Sequence, residues 1–188
     1  MRSIPQAVDR HATGRLLTAL VVILIMAMVS VHVLDTPWSL VRLKHMTGGV
    51  SILDAQFHYS AQAATDVLTA LGPRGRAFYL WRVLAALDVV LPLLFASVLT
   101  VAMAISFRGF VDEESPWRLA QLLPVAALLL DYTENGLIAK LLLDFPVEHA
   151  ALAAAAGWTT TVKHLAYATS VVICLSAVAA RRVSQRVG

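Results

Sequence analysis

The sequence predicts an all-α membrane protein, a four-transmembrane-helix bundle with a short amphipathic helix in the first extracytoplasmic loop. Hydrophobic residues occupy 59% of the 188 positions and charged residues only 14%, whereas soluble domains carry about 25% charged residues. Most apolar residues fall in four blocks, each long enough to cross about 30 Å of hydrocarbon as a helix. We therefore predict a single integral membrane domain covering residues 1–188.

The four predicted spans are separated by one loop of substantial length. The first block follows a basic segment, as in a signal peptide, but its run of about 19 apolar residues exceeds the roughly 7–15 of a signal core. No A-x-A cleavage pattern follows it, so we expect this block to remain as a span. The predicted spans cover residues 16–34, 82–107, 119–143 and 151–180, and the outer loop covers residues 35–81.

The outer loop contains one further helix signal. Ser60 is a suitable N-cap, and apolar residues follow it at helical spacing on one face. Gly72 and Pro73 then predict a stop and a turn. We expect residues 61–71 to form an amphipathic helix that lies on the outer membrane face or caps the bundle, or else a simple connecting helix. The polar residues 1–14 predict a disordered or surface-lying tail.

The distribution of Lys and Arg predicts the orientation in the membrane. Cytoplasmic loops carry an excess of these residues, and placing both termini inside puts eight of them on the inner side and five on the outer side. We therefore expect a multi-pass protein of the bacterial inner (plasma) membrane with cytoplasmic N- and C-termini. Its formal charge of +3 then reflects topology and contact with anionic membrane lipids. No basic stripe with interleaved aromatic residues occurs, so we expect no nucleic-acid partner.

Ionisable and amide side chains interrupt the predicted spans, and these side chains form the candidate site. Each ion at the bilayer centre costs about 2.5–3.5 kcal/mol, so such residues are expected to face protein, water or a ligand. Counting along the spans places them at similar depth in the outer half of the bilayer. The candidate catalytic residues are Glu134, Asp131, Asp88 and His164, and the candidate ligand-binding residues are Asn135, Lys163 and His32.

The spacing of these residues supports a shared site. Asp131, Glu134 and Asn135 have the i, i+3 and i+4 spacing that places side chains on one helix face. Pro92 has no N–H to offer the carbonyl of Asp88, which leaves a spare acceptor beside that carboxylate. Prolines are also common in ordinary membrane helices, so this feature alone is weak evidence.

The charge of the candidate site predicts a bound proton or cation. Three carboxylates face one certain cation, Lys163, and a low dielectric does not tolerate the excess. Either a carboxyl group is protonated, or His32 or His164 is cationic, or a metal or cationic ligand binds. No H-E-x-x-H, Walker or haem-attachment pattern is present, and the sequence identifies neither a metal site nor a cofactor. Cys174 is the only cysteine, which excludes thiol chemistry through an internal disulfide.

In its span count, its polar first outer loop and its intramembrane Asp, Glu, Asn and His residues, the chain resembles the four-span sterol-isomerase-type (EXPERA) proteins. The resemblance covers architecture only, and no motif aligns residue by residue. It implies buried acids and an amide around a cavity that binds an amine or a sterol.

These observations favour a protein that binds or processes a small amphipathic or lipid-like molecule by acid–base chemistry. The alternative is a non-enzymatic assembly or accessory protein whose buried polar cluster only specifies helix packing. Proton or ion conduction requires a polar path through the inner half of the bilayer, and we expect that half to be almost purely apolar. In the favoured interpretation, Glu134 and Asp131 are proton donor and acceptor, Asp88 is the counter-charge, His164 is the shuttle, and Lys163 and Asn135 position the ligand.

Overall fold

The chain is all-helical in the computed structural model, which describes residues 4–108, 111–112 and 114–187, with side chains described as far as residue 182. A π-helix, Tyr79–Leu87, joins α4 to α5, and 3-10 turns occupy Leu53–Ala55 and Pro116–Leu122. No strand occurs in these described ranges. The α-helices are α1 (Ile4–His11), α2 (Gly14–His32), α3 (Leu40–Thr47), α4 (Ala61–Phe78), α5 (Asp88–Phe107), α6 (Leu123–Asp144) and α7 (Ala150–Val187).

Four helical stretches are long and apolar enough to cross a membrane, which indicates a multi-pass membrane protein. Helix α6 packs against α5 and α7, and α5 also packs against α2 and α7. Only 6% of the most apolar 18-residue segment of α2 is buried within the protein, so most of the surface of this helix can contact lipid. The four stretches are Gly14–His32, Ala61–Phe107, Pro116–Asp144 and Ala150–Arg182.

The helix stop predicted at Gly72 coincides with a kink between two helices, whereas the turn expected after it is replaced by an immediate new helix. Gly72 itself leaves the helical conformation, with φ 62° and ψ 175°, but Pro73 begins the next turn at once. Proline is tolerated there since the first turn of a helix does not use its N–H. Arg76 bridges the kink by donating from Nη1 to the Leu68 carbonyl oxygen at 2.8 Å. The non-helical part of the outer loop therefore ends at Ser60. Helix α4 follows it directly and leads into the second apolar stretch, which begins at Ala61 and not at residue 82.

The N-terminal segment is also more ordered than predicted, because α1 packs against α5 at the end of the helices opposite the outer loop. Arg118 is only 5% exposed, and its Nη1 atom lies 2.5 Å from Oδ2 of Asp9. It also donates to the carbonyl oxygens of Val111 and Asp112, at 2.7 and 3.0 Å. Arg108 donates to the Asp9 carbonyl. The sequence does not reveal these contacts, because Asp9 lies about a hundred residues away from Arg108 and Arg118.

Replacing Arg118 by Met should lower the free energy of unfolding by about 3 kcal/mol, because a largely buried Asp9 carboxylate is left without its cation. Titration with SDS in mixed micelles measures this change. The control is Arg74→Met, which removes an exposed arginine and should change the free energy by no more than about 0.5 kcal/mol. Equal losses in the two variants would show that α1 is not held by this ion pair.

Candidate functional site

Helices α6 and α7 bring three of the predicted site residues into direct contact. Lys163 Nζ lies 2.9 Å from Oδ1 of Asp131 and also pairs with Oε2 of Glu134. The other carboxylate oxygen of Glu134 accepts a hydrogen bond from Thr160 Oγ1. Glu134 is fully buried, at 0% exposure, and Asp131 and Lys163 are 6% and 5% exposed. One ammonium thus serves two carboxylates inside the protein, which makes this part of the site a closed network rather than an open pocket.

Asn135 connects this network to the start of α5. Its Nδ2 atom donates to the backbone oxygen of Asp88 at 3.1 Å, which is the carbonyl that Pro92 leaves without its helical partner. The contact holds Asp88 beside α6. Within the described part of the chain, Oδ2 of the Asp88 carboxylate and Oδ1 of Asn135 are buried without a hydrogen-bond partner. Neither atom meets a protein donor, although the Asp88 carboxyl group also contacts the side chain of Asp54.

Two residues that the sequence analysis did not assign to the site, Asp54 and Tyr79, extend it. The Tyr79 hydroxyl donates to Oδ1 of Asp54 at 2.6 Å, and Tyr79 is completely buried. Asp54 acts electrostatically on Asp88 more strongly than Asp131 or Lys163 does. An acid in a polar outer loop carries no distinctive sequence signal, and Tyr79 resembled an interfacial aromatic residue. The site therefore contains a fourth carboxyl group.

The outer loop lies over the site as a cap, which we define as residues 51–59. His58 Nδ1 lies 3.0 Å from Thr161 Oγ1 and 3.2 Å from the Gly157 carbonyl oxygen. A Cβ atom on Gly157 would lie 2.1 Å from the carbonyl oxygen of Tyr59, so only glycine permits this close approach. Tyr59 is 2% exposed, and burial raises the pKa of its hydroxyl, which therefore stays protonated.

The two predicted histidines differ in their placement. His164 Nδ1 lies 2.8 Å from the Thr160 carbonyl oxygen, and since a carbonyl only accepts, Nδ1 donates in this contact. Its ring lies 5.8 Å from that of Phe57 in the cap, and Asp131 is an electrostatic neighbour. His32 instead lies exposed in the last turn of α2. In the described part of the chain, no hydrogen bond or ion pair joins His32 to the site.

The half of the membrane-spanning region that lies away from the cap was expected to be almost purely apolar, and this expectation is wrong. Gln121 and Ser170 are 0% exposed and Thr100 is 8% exposed, although all three are polar. These uncharged residues lie within strongly apolar runs, which is why the sequence analysis passed over them. The described residues include no group of three or more His, Cys, Asp or Glu side chains arranged to hold a metal ion.

Comparison with known proteins adds no identity. No family model matches the chain, and neither the curated proteins nor the solved structures give a match. None of these comparisons supports the resemblance to EXPERA proteins. The fold and the site define a class only, namely a helical multi-pass membrane protein with a capped, buried cluster of carboxyl groups around one lysine.

Proposed function

We propose that the protein is a four-span bundle of the bacterial inner membrane that binds or processes a small amphipathic, lipid-like molecule at its capped carboxyl cluster. Both termini are cytoplasmic in this proposal, and the first part of α4 lies along the outer membrane face. The observation that carries the proposal is that four carboxyl groups share one ammonium: Lys163 pairs with Asp131 and Glu134, and the side chains of Asp54 and Asp88 meet beside this pair. Because a buried negative excess is unfavourable, the cluster needs bound protons or the cationic group of a ligand. The carboxyl groups belong to Asp54, Asp88, Asp131 and Glu134.

The contacts favour Asp88 as the carboxylate that meets the ligand. Lys163 already engages Asp131 and Glu134, so these two acids hold the network together. Asp88 Oδ2 and Asn135 Oδ1 accept no hydrogen bond from a protein donor, and they suit the N–H or O–H donors of a ligand. For Asp88, a proton shared with Asp54 would compete with such a ligand. This assignment revises the sequence-based roles, in which Asp88 was only a counter-charge.

Proton-transfer groups surround Asp88 and the cap. The Tyr79 hydroxyl donates a hydrogen bond to Asp54, and the His164 imidazole is an electrostatic neighbour of Asp131. Asp54 is half-buried and so links the buried acids to the water outside the cap. These groups support acid–base handling of a ligand whose polar end reaches Asp88 and whose apolar part lies between the helices. His32 stays a candidate for ligand contact only at the outer end of α2.

The rival proposal is a non-enzymatic assembly or accessory protein whose polar cluster only specifies helix packing. The closed contacts of Lys163 with Asp131 and Glu134 favour it, since a buried ion pair can fix helix register without further function. It does not explain the unpaired Oδ1 of Asn135, because a purely structural network is expected to satisfy its buried polar atoms.

Replacing Asp88 by Asn should weaken binding of a co-purified molecule by about tenfold or more, because a hydrogen bond to a charged group contributes roughly 1.5–3 kcal/mol. Native mass spectrometry of the purified protein measures the bound fraction. The matched control is Asp66→Asn, which changes an exposed acid on α4 and should leave the bound fraction unchanged.

The same measurement separates the two proposals. A wild-type protein that carries no bound small molecule, or a bound fraction that is the same in the Asp88→Asn variant, would contradict ligand binding at this cluster. A loss of stability in that variant with no change in bound mass would favour the packing proposal.

A further inference from the structure

Unpaired polar atoms continue from the carboxyl cluster towards α1 through the half of the helices that was expected to be apolar. Thr100 Oγ1, both side-chain amide atoms of Gln121 and Asp9 Oδ1 are all buried, and within the described ranges none has a hydrogen-bond partner. The buried Tyr167 hydroxyl faces the carboxyl group of Asp131. Thr100 and Gln121 are also more than nine-tenths buried as whole residues. Each unsatisfied buried group costs about 1–3 kcal/mol, so several along one direction call for an explanation.

These residues follow one another in depth. Tyr167 lies one turn beyond Lys163 on α7 and is an electrostatic neighbour of Asp131. Ser170 lies a further turn along the same helix. Thr100 lies about 18 Å beyond Asp88 on α5, at about 1.5 Å per residue. On the third helix, Gln121 precedes Asp131 by about 15 Å or a little more. In depth along the helix axes, successive polar side chains are thus no more than about one helical turn apart. Bridging waters would have to cover the sideways distances between the helices. The residues in question are Tyr167, Ser170, Thr100, Gln121 and Asp9.

We infer that this line of buried polar residues is a proton path joining the carboxyl cluster to the α1 end of the protein. Protons enter at the half-buried Asp54, pass to Asp88 and Asp131, and continue through the Tyr167 and Thr100 hydroxyl groups with bridging water. Each hydroxyl or water accepts one proton as it releases another, so only O–H bonds form and break and one positive charge moves. Gln121 orients water and does not itself titrate.

An outlet exists at the α1 end. A groove of about 540 Å³ lies between the first two helices and the α5–α6 pair, and Thr100 and His11 both line it. His11 is exposed at the end of α1, so the groove joins a buried hydroxyl to an exposed imidazole, and the rest of its lining is mainly Ala, Val and Leu. The charged and titratable groups at the other end of the path are the four acids, Lys163, His164, Tyr59 and Tyr79.

The test is proton uptake by the full-length protein in phosphatidylcholine–phosphatidylglycerol liposomes that contain a pH-sensitive dye. A potassium gradient with valinomycin supplies the driving potential. Wild-type protein should take up protons faster than protein-free liposomes, and Gln121→Leu should reduce the rate to the protein-free level. The control is Ser97→Ala, which alters the same groove at a hydroxyl that already donates to the Leu93 carbonyl and should keep the wild-type rate.

Folding is checked independently of uptake. Gln121→Leu removes an unpaired buried amide, so its thermal midpoint should equal or exceed that of the wild type. Thr100→Val provides a second variant of nearly the same shape, in which uptake should also be lost. Wild-type uptake at the protein-free rate, or wild-type rates in both Gln121→Leu and Thr100→Val, would overturn the inference.

The proton path rests on the carboxyl cluster of the proposed function, but experiments can refute the path and the ligand proposal independently. Gln121 is remote from Asp88, so Gln121→Leu should retain the bound molecule seen by mass spectrometry. An intact bound fraction without any proton uptake would refute the path alone. Uptake without a bound molecule would instead refute the ligand proposal.

Discussion

Lys163→Met should be among the most destabilising substitutions in the protein, lowering the free energy of unfolding by about 3–5 kcal/mol. Lys163 is the only cation in contact with Asp131 and Glu134 among the described residues, and all three side chains lie inside the protein. Its removal leaves two buried carboxylates facing each other. One or both must then become protonated or draw in water.

SDS titration in mixed micelles measures this loss, and Lys140→Met is its matched control. Lys140 also forms an ion pair, with Asp144, but its side chain is 60% exposed. Exposed pairs contribute about 0–1 kcal/mol, so this variant should remain close to the wild type. Losses of similar size in both variants would mean that Lys163 is not shielded from solvent as the structure describes.

Gly157→Ala should displace the cap from α7 and lower stability by about 1–3 kcal/mol, the usual range for overpacking. The added methyl group would lie 2.1 Å from the Tyr59 carbonyl oxygen, and backbone atoms cannot yield as a flexible side chain can. Replacing glycine by alanine in a helix is otherwise favourable by about 1 kcal/mol. A net loss of stability would therefore show that the added methyl group collides with the cap. Faster hydrogen exchange in residues 51–59 should accompany it.

The control for this variant is another helical glycine, Gly136 on α6. A Cβ atom there meets nothing within 4 Å, so Gly136→Ala should leave stability unchanged or raise it by up to about 1 kcal/mol. Its hydrogen exchange in the cap should match the wild type. If Gly157→Ala behaved in the same way as Gly136→Ala, the loop would not rest on α7.

The sequence predicted four helices long and apolar enough to cross a membrane, because bilayer thickness and hydrophobic run length are directly coupled. It also predicted that Asp131, Glu134 and Asn135 share a face, because the 3.6-residue period is local. The sequence also predicted that the Asp88 carbonyl lacks its helical hydrogen-bond donor, since Pro92 has no N–H.

The remaining features depend on contacts between distant segments, which local patterns do not contain. Asp54 joins the site only because the loop folds back over α7, and this fold needs the bare backbone of Gly157. The helix α1 was missed because its polar residues are satisfied by Arg108 and Arg118, about a hundred positions later. His32 had a suitable residue type and depth, but its helix turns it away from the cluster.

The most direct test of the central claim, that ionisable side chains from separate helices meet inside the protein, is a double-mutant cycle between Lys163→Met and Glu134→Gln. In the wild-type background, Glu134→Gln should reduce stability, because Lys163 loses a carboxylate. In the Lys163→Met background the same change should increase stability, because it removes one of two unpaired acids.

We therefore expect a coupling energy of about 1–3 kcal/mol from SDS titrations of the four proteins, with this reversal of sign. Effects that add to within about 0.5 kcal/mol would show that the two side chains do not interact, which would contradict the cluster and the function proposed for it.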